Sequence, residues 1–303
     1  MSLPKTWLAY ALNGKLWYHW RMQPRSIWRE MFGVLFRAAV IVFTFIFLLG
    51  VLDAWYETES SVSDGQCNVA VLPLDGAILP FHGLEDYPLA ITPQEVEAFF
   101  DQVESEDDIK GVLLEINSPG GTPVASERIA ERIRASELPT VGLIGDMGTS
   151  GGYLVAVASD HVLASELSDV GGIGVTMSYV EESEKNEEEG LTFVELNSAE
   201  YKDAGNRNKP LTDAERELFE ADLNLMHRSL VSTVAEYRGV PVSEIDQYAD
   251  GASRTGIEAL EANLIDSLGG RTEARERLAE QLSVEAVDIS FCEYRQRWPW
   301  LAV

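Results

Sequence analysis

Ser150 lies in the run Gly148-Thr149-Ser150-Gly151-Gly152-Tyr153, and 52 positions later the chain reads Tyr201-Lys202-Asp203-Ala204-Gly205. A serine flanked by glycines, ahead of an apolar helix-like stretch, has the setting of a nucleophile. A lysine can serve as its general base only when neutral, so burial must lower its pKa from about 10.4 by several units. If the two side chains meet, the chemistry is that of a serine peptidase with lysine in the role more often held by histidine. Taken by itself, Lys202 reads as a surface lysine.

Two glycine-bearing junctions follow strand-like runs: Asn117-Ser118-Pro119-Gly120-Gly121 and Gly145–Gly152. Glycine lets backbone N–H groups approach a ligand closely, and the carboxyl ends of strands are where α/β folds place their sites. The N–H groups of Gly121 and Gly151 could then form a two-donor oxyanion hole. The plainer reading is two tight turns. His82, His161 and His227 are the other bases to weigh. His82 falls in a Pro/Gly-rich loop, His161 in a probable strand and His227 in a long helix, and none has a triad context. Lys110, Lys185 and Lys209 are the remaining lysines after residue 68, and only Lys202 follows a strand and a turn. No Cys/His cluster has metal-ligand spacing, so neither a structural zinc nor a cofactor is expected.

The elements that must position these groups alternate. Strands are expected at Val69–Leu74, Gly111–Ile116, Thr140–Ile144, His161–Leu163 and Leu191–Leu196. Helices are expected from Thr92-Pro93 to about Val103, from Thr122-Pro123 with Ile129 and Ile133 on one face, and over Gly151–Ser159. A long helix should run from Thr212 to about Tyr237, with Leu218, Phe219, Met226, Leu230 and Val234 as its apolar stripe. Thr255-Gly256-Ile257-Glu258 is a capping box before a further helix ending near Gly269-Gly270. Glu181–Glu189 reads as a solvated face or loop. The class is α/β, built from right-handed crossovers.

Composition limits the partners. The 303 residues carry 23 basic and 50 acidic side chains, a net charge of −27. Residues 1–52 hold six basic residues and one acidic residue, so the remainder is still more acidic. Such a surface repels nucleic acid, and solubility or a saline habitat is its simplest meaning. Residues 33–52, GVLFRAAVIVFTFIFLLGVL, contain Arg37 as the only charge. At about 1.5 Å per residue they span a bilayer core. Basic residues and Trp7, Trp17, Trp20 and Trp28 precede the stretch, whereas Asp53, Trp55, Glu57 and Glu59 follow it. The expectation is an uncleaved anchor with a cytoplasmic N-terminus and a catalytic domain in the periplasm or its equivalent. Cys67 and Cys292, 225 positions apart, could pair in an oxidising compartment.

Together these motifs resemble the signal peptide peptidase A family, the Ser-Lys membrane peptidases of bacteria, in its short single-domain form. The resemblance covers about residues 69–270, including Asn117–Gly121, Ser150–Tyr153, Tyr201-Lys202-Asp203 and Asp266-Ser267-Leu268-Gly269-Gly270. It implies a crotonase/Clp-like fold of β-β-α crossover units behind one transmembrane helix. It also implies dome-shaped homo-oligomers in the inner membrane that cleave remnant signal peptides. By position, Ser150 is the nucleophile, Lys202 the base, and Gly121 and Gly151 the oxyanion donors. Gly172 stands where the family usually has a serine that holds the lysine; Thr176, Ser178 or a water would have to substitute. The implied organisation is a basic cytoplasmic segment (1–32), an anchor (33–52), a linker (53–68), a peptidase domain (69–282) and a tail (283–303). The alternatives are a weak or inactive scaffold on the same fold, or an acyl-CoA hydratase or isomerase using the same donors. A Clp-type Ser-His-Asp peptidase would need a well-placed histidine.

Overall fold

The computed structural model describes residues 9–12, 15–18, 27–60, 62, 65–82 and 90–293, in two units, Met1–Ser60 and Ser61–Val303. Trp7 and Trp20 of the basic segment, and residues 294–303 of the tail, lie outside the described residues.

In the first unit, β1 (Ala9–Leu12) pairs antiparallel with β2 (Lys15–Tyr18), and α1 spans Ile27–Ser60. Within α1, Phe32–Val51 is long and apolar enough to cross a membrane. Every side chain in that stretch is exposed, so no protein core accounts for its hydrophobicity. The Thr44 hydroxyl donates back to the Val40 carbonyl at 2.7 Å, which satisfies it without water. The helix continues to Ser60, eight residues past the end of the apolar run at Leu52.

The second unit begins with β3 (Val69–Asp75), the short strands β4 (Ala77–Ile78) and β5 (Ala90–Ile91), and α2 (Pro93–Ser105). Next come β6 (Gly111–Ser118), α3 (Pro123–Arg134), β7 (Thr140–Thr149), α4 (Gly151–Val157), β8 (His161–Ala164) and β9 (Asp169–Gly171). A long excursion contains α5 (Ser183–Glu188) and leads to α6 (Asp213–Arg238) and α7 (Val242–Asp246). The unit closes with β10 (Ser253–Thr255), α8 (Gly256–Glu261), β11 (Ser267–Leu268), α9 (Arg271–Leu282) and β12 (Phe291–Glu293).

Among the described residues these strands build an eight-stranded sheet ordered β10-β9-β7-β6-β3-β12, with β8 on β7 and β11 on β8. The central pairs β3–β6, β6–β7 and β7–β8 are parallel. Their near-continuous apolar runs follow from burial on both faces. Ala70, Leu72 and Leu74 of β3 join the core beneath α2, α3, α4 and α6. Val69 and Val71, pointing the other way, pack with Ala274 and Leu278 of α9. Thr92, Thr212 and Thr255 each cap a helix reciprocally with a glutamate three residues on. Cys67 and Cys292 form a disulfide, Cα to Cα 5.3 Å, beside the parallel pairing of β3 with β12. Closing so long a loop lowers unfolded-chain entropy by about 5 kcal/mol at 25 °C in the chain-entropy account.

Three expectations are corrected. Leu191–Leu196 is irregular, because no neighbouring strand offers it a ladder. The helix after Thr255 stops at Glu261, and the chain then forms β11 on β8. Of the stripe on α6, Val234 is buried and Leu230 packs against the core, whereas Leu218 and Met226 are exposed. The first half of that helix has little of its own chain to lie against.

Candidate active site

The site sits where β6 and β7 end. A β-bulge between Ile116 and Ser118 turns the chain out of β6. Asn117 Oδ1 accepts from the amides of Asp146 and Met147, tying this loop to β7. The buried Ser118 hydroxyl accepts from Gly120 N at 3.1 Å and fixes the next turn. Gly121 must be glycine, since a Cβ there would stand 1.8 Å from the Ile78 carbonyl oxygen. Ile78 brackets it by donating to Gly120 O and accepting from Thr122 N, both at 2.9 Å.

On the adjacent strand end, Ser150 is the N-cap of α4 with φ 55° and ψ −123°. A non-glycine residue at positive φ outside the left-handed helical region costs about 1–3 kcal/mol. The strain is held by Ser150 N donating to Gly171 O at 2.7 Å and by the first turn of α4 closing on Ser150 O. Tyr153, fully buried, anchors that turn by donating to Leu264 O at 2.7 Å. Burial pushes the Tyr153 phenol far up, so it stays a neutral donor. Gly151 is also required, as its Cβ would fall 2.1 Å from Ser126 Oγ.

The two glycine amides face one place. Gly121 N lies 3.4 Å from the Cβ position of Gly151. Among the described residues, neither amide donates to a backbone carbonyl. Both glycines and Ser150 line a cavity of about 310 Å³. Its walls are Pro123, Val124 and Glu127 of α3, Leu154 of α4, Val175 and Thr176 after β9, and Met226, Leu230, Thr233 and Tyr237 of α6. A half-buried serine, two free N–H donors and an apolar trough can attack and hold an acyl group.

Lys202 is not brought there. It does not line the cavity and is exposed, in a turn that closes with its amide on Ala199 O. From Gly174 to Thr212 no residue is buried. The arm is cross-tied within itself and held at its far end to α6. Glu182 N donates to Arg207 O at 2.7 Å, and the two side chains pair at the same distance. Lys209 Nζ binds Glu195 and the buried Glu215 at 2.9 and 3.0 Å. Thr176 lies in the cavity wall, whereas Ser178 does not. A Cβ at Gly172 would stand 3.6 Å from Ser150 N.

No histidine lines the cavity. His161 Nε2 meets Ser267 Oγ at 2.9 Å, and Nδ1 is 3.9 Å from Asp266 Oδ2. Burial holds His161 below its ordinary pKa, opposed by Asp266 and reinforced by Arg277 and Arg238. Burial raises the Asp266 carboxyl, but the Arg238 ion pair at 2.9 Å, with the Val162 amide and His161, outweighs it and holds Asp266 down. The sequence reading missed Ser118, Ser126 and the α6 wall. Only the wall carried a signal, in the spacing of Met226, Leu230, Thr233 and Tyr237.

Residues 132–285 match the family model described as Peptidase family S49. A Methanocaldococcus jannaschii protein with a provisional protease name is 31% identical over 191 residues, 62% of this chain and 61% of that protein. The Arabidopsis thaliana "Serine protease SPPA, chloroplastic" is 27% identical over 70% of this chain and 32% of its own length. The Haemophilus influenzae "Protease 4" is 24% identical over 76% and 37%. The chain spans less than two thirds of the length of these curated relatives. With half of its residues matched by the model, the chain belongs to peptidase family S49, the signal peptide peptidase A family.

Proposed function

We propose that the protein is a membrane-anchored serine endopeptidase with Ser150 as nucleophile and Lys202 as general base. The observation that carries this reading is a strained serine beside two unpaired amides at the floor of an apolar cavity. Neutral Lys202 takes the proton as Ser150 Oγ attacks the substrate carbonyl carbon. The oxyanion is held by the N–H groups of Gly121 and Gly151. The amine product leaves with the lysine's proton, and water then hydrolyses the acyl-enzyme through the same base. Neither a metal nor a cofactor enters these steps.

Lys202 is supplied by a second copy of the chain in this reading. Its exposure leaves it solvated in the single chain, and its arm displays Val180, Leu191, Val194 and Leu196, the last 90% exposed. A homo-oligomer would cover these side chains and bury the lysine. Mixing Ser150→Ala with Lys202→Ala protein during assembly tests this directly. Recovered peptidase activity is expected, while a mixture as inactive as its parts overturns the shared site.

Phe32–Val51 is read as an inner-membrane anchor with the N-terminus in the cytoplasm and the second unit outside it. The Cys67–Cys292 disulfide supports this side, since such bonds persist in oxidising compartments. Substrates are then membrane-borne peptides such as remnant signal peptides. The parallel sheet with its crossover helices is consistent with a crotonase/Clp-like fold.

A further inference from the structure

We propose that Arg238, the last residue of α6, is a positioning residue for the reaction. It clamps the segment Asn263–Asp266, and through Leu264 that segment holds Ser150 in its strained turn. The inference rests on the reading of Ser150 as nucleophile. An arginine in the last turn of a helix ordinarily serves the helix dipole. Arg238 also reaches out of α6, and its side chain, 11% exposed, spans three acceptors. Its Nε donates to Asn263 O at 3.0 Å, Nη1 donates to Asp266 Oδ2 at 3.0 Å, and Nη2 pairs with Asp266 Oδ1 at 2.9 Å. This is a planar fork on a carboxylate, a geometry that lysine does not reproduce.

The clamped segment is fixed at both ends. Asn263 opens it in a left-handed turn, φ 55°, with its carbonyl on Arg238. Asp266 closes it on β8: its carboxylate accepts from Val162 N at 2.7 Å, and its amide donates to Val162 O at 2.9 Å. Leu264, completely buried, lies between these ends and meets both supports of Ser150. Its carbonyl accepts from the Tyr153 hydroxyl at 2.7 Å, the bond that anchors the first turn of α4. Its Cδ1 lies 3.7 Å from where a Cβ on Gly171 would stand, and Gly171 O is the acceptor of Ser150 N. Burial pushes the Tyr153 phenol up, Arg238 opposes the rise and Asp266 adds to it, so both charges of the clamp reach that ring. Tyr237, the neighbour of Arg238, lines the cavity. One helix end thus shapes the cavity wall and steadies the serine beside it.

The test uses the full chain in detergent and a chromogenic peptide ester. Active sites are counted by labelling to completion with a serine-directed covalent probe, so a change in folded fraction cancels. Arg238→Met and Asp266→Asn should each lower kcat per labelled site by about 10- to 100-fold, the scale of a misplacement of about 1 Å. KM should stay within about twofold, since the groups that touch substrate are unchanged. Arg271→Met breaks ion pairs to Glu115 and Glu293 elsewhere in the same unit and should leave kcat per site as in wild type. Tyr153→Phe should lose about as much as Arg238→Met, and combining the two should cost far less than the product of the single losses. If Arg238→Met does not fold, Arg238→Lys, which keeps the charge without the fork, serves instead with a loss of about threefold or more. Wild-type kcat per site in the folded Arg238 variant, or losses that multiply in the double variant, overturns the clamp. Labelling that persists in Ser150→Ala overturns instead the nucleophile on which it rests.

Discussion

Ser150 N donates to Gly171 O at 2.7 Å, where the last residue of β7 pairs with the last of β9. The bond holds the turn at Ser150 in its strained shape and fixes the root of the arm that carries Lys202. The serine is thus preorganised within one chain, while the lysine stands exposed on an arm without buried residues. Removing either partner should separate catalysis from folding. Ser150→Ala and Lys202→Ala are each expected to lower kcat/KM by about 10⁴-fold or more with an unchanged circular dichroism spectrum. Activity retained in either variant rules its residue out of the dyad.

Gly121→Ala should act through geometry alone. A Cβ 1.8 Å from the Ile78 carbonyl oxygen forces the loop away and takes the Gly121 amide with it. Loss of one oxyanion donor lowers kcat by about 10²–10³-fold. The check is kcat on a chromogenic peptide ester, and a value near wild type argues that Gly121 N–H does not hold the oxyanion.

Gly172→Ser places a hydroxyl near Ser150, where the proposed dyad would use it to hold Lys202. Gly172 has φ +56°, so the substitution should cost about 1 kcal/mol in stability. The new Cβ would meet Thr149 Cβ at 3.2 Å, a tight contact. If Lys202 is poorly held without that hydroxyl, kcat/KM rises several-fold. A large fall shows that Thr176 or water already positions the lysine.

The disulfide fixes β12 at the sheet edge. Cys67→Ser/Cys292→Ser should unfold about 2–5 kcal/mol more easily, read as the denaturant midpoint in the full chain. No change in midpoint would mean that the disulfide adds nothing to the fold's stability.

His161 gives the stability a pH dependence. Its pKa in the fold lies below the ordinary 6.5, so its neutral form contributes stability that is fully present above about pH 6.5. That contribution is lost as pH falls through the lowered value. Asp266, also held down, loses its part at more acidic pH. The Tm of His161→Gln should therefore vary less between pH 5 and 7 than that of wild type. Parallel curves would remove His161 from the account.

The strands β3, β6 and β7, the capping threonines and the glycine junctions were legible because local rules dictate them. Apolar runs need burial on both faces, Thr-Pro starts helices, and glycine alone fits where backbones nearly touch. The Leu191–Leu196 alternation misled because period two promises a strand only where a partner ladder exists. The exposed start of α6 misled similarly, since a helical stripe states what must be covered and not by what.

The sequence by itself determined the residue types of the site, the apolar stretch over residues 33–52 and the family. Those depend on chemistry and on short-range spacing. Only the tertiary structure decided that Gly121 and Gly151 present their amides together, that Cys67 meets Cys292, that α6 walls the cavity, and that Lys202 stays outside it. Each depends on where residues tens to hundreds of positions apart end up in space. Such meetings are set by the order of strands in the sheet and the packing of helices on it, which no local pattern encodes.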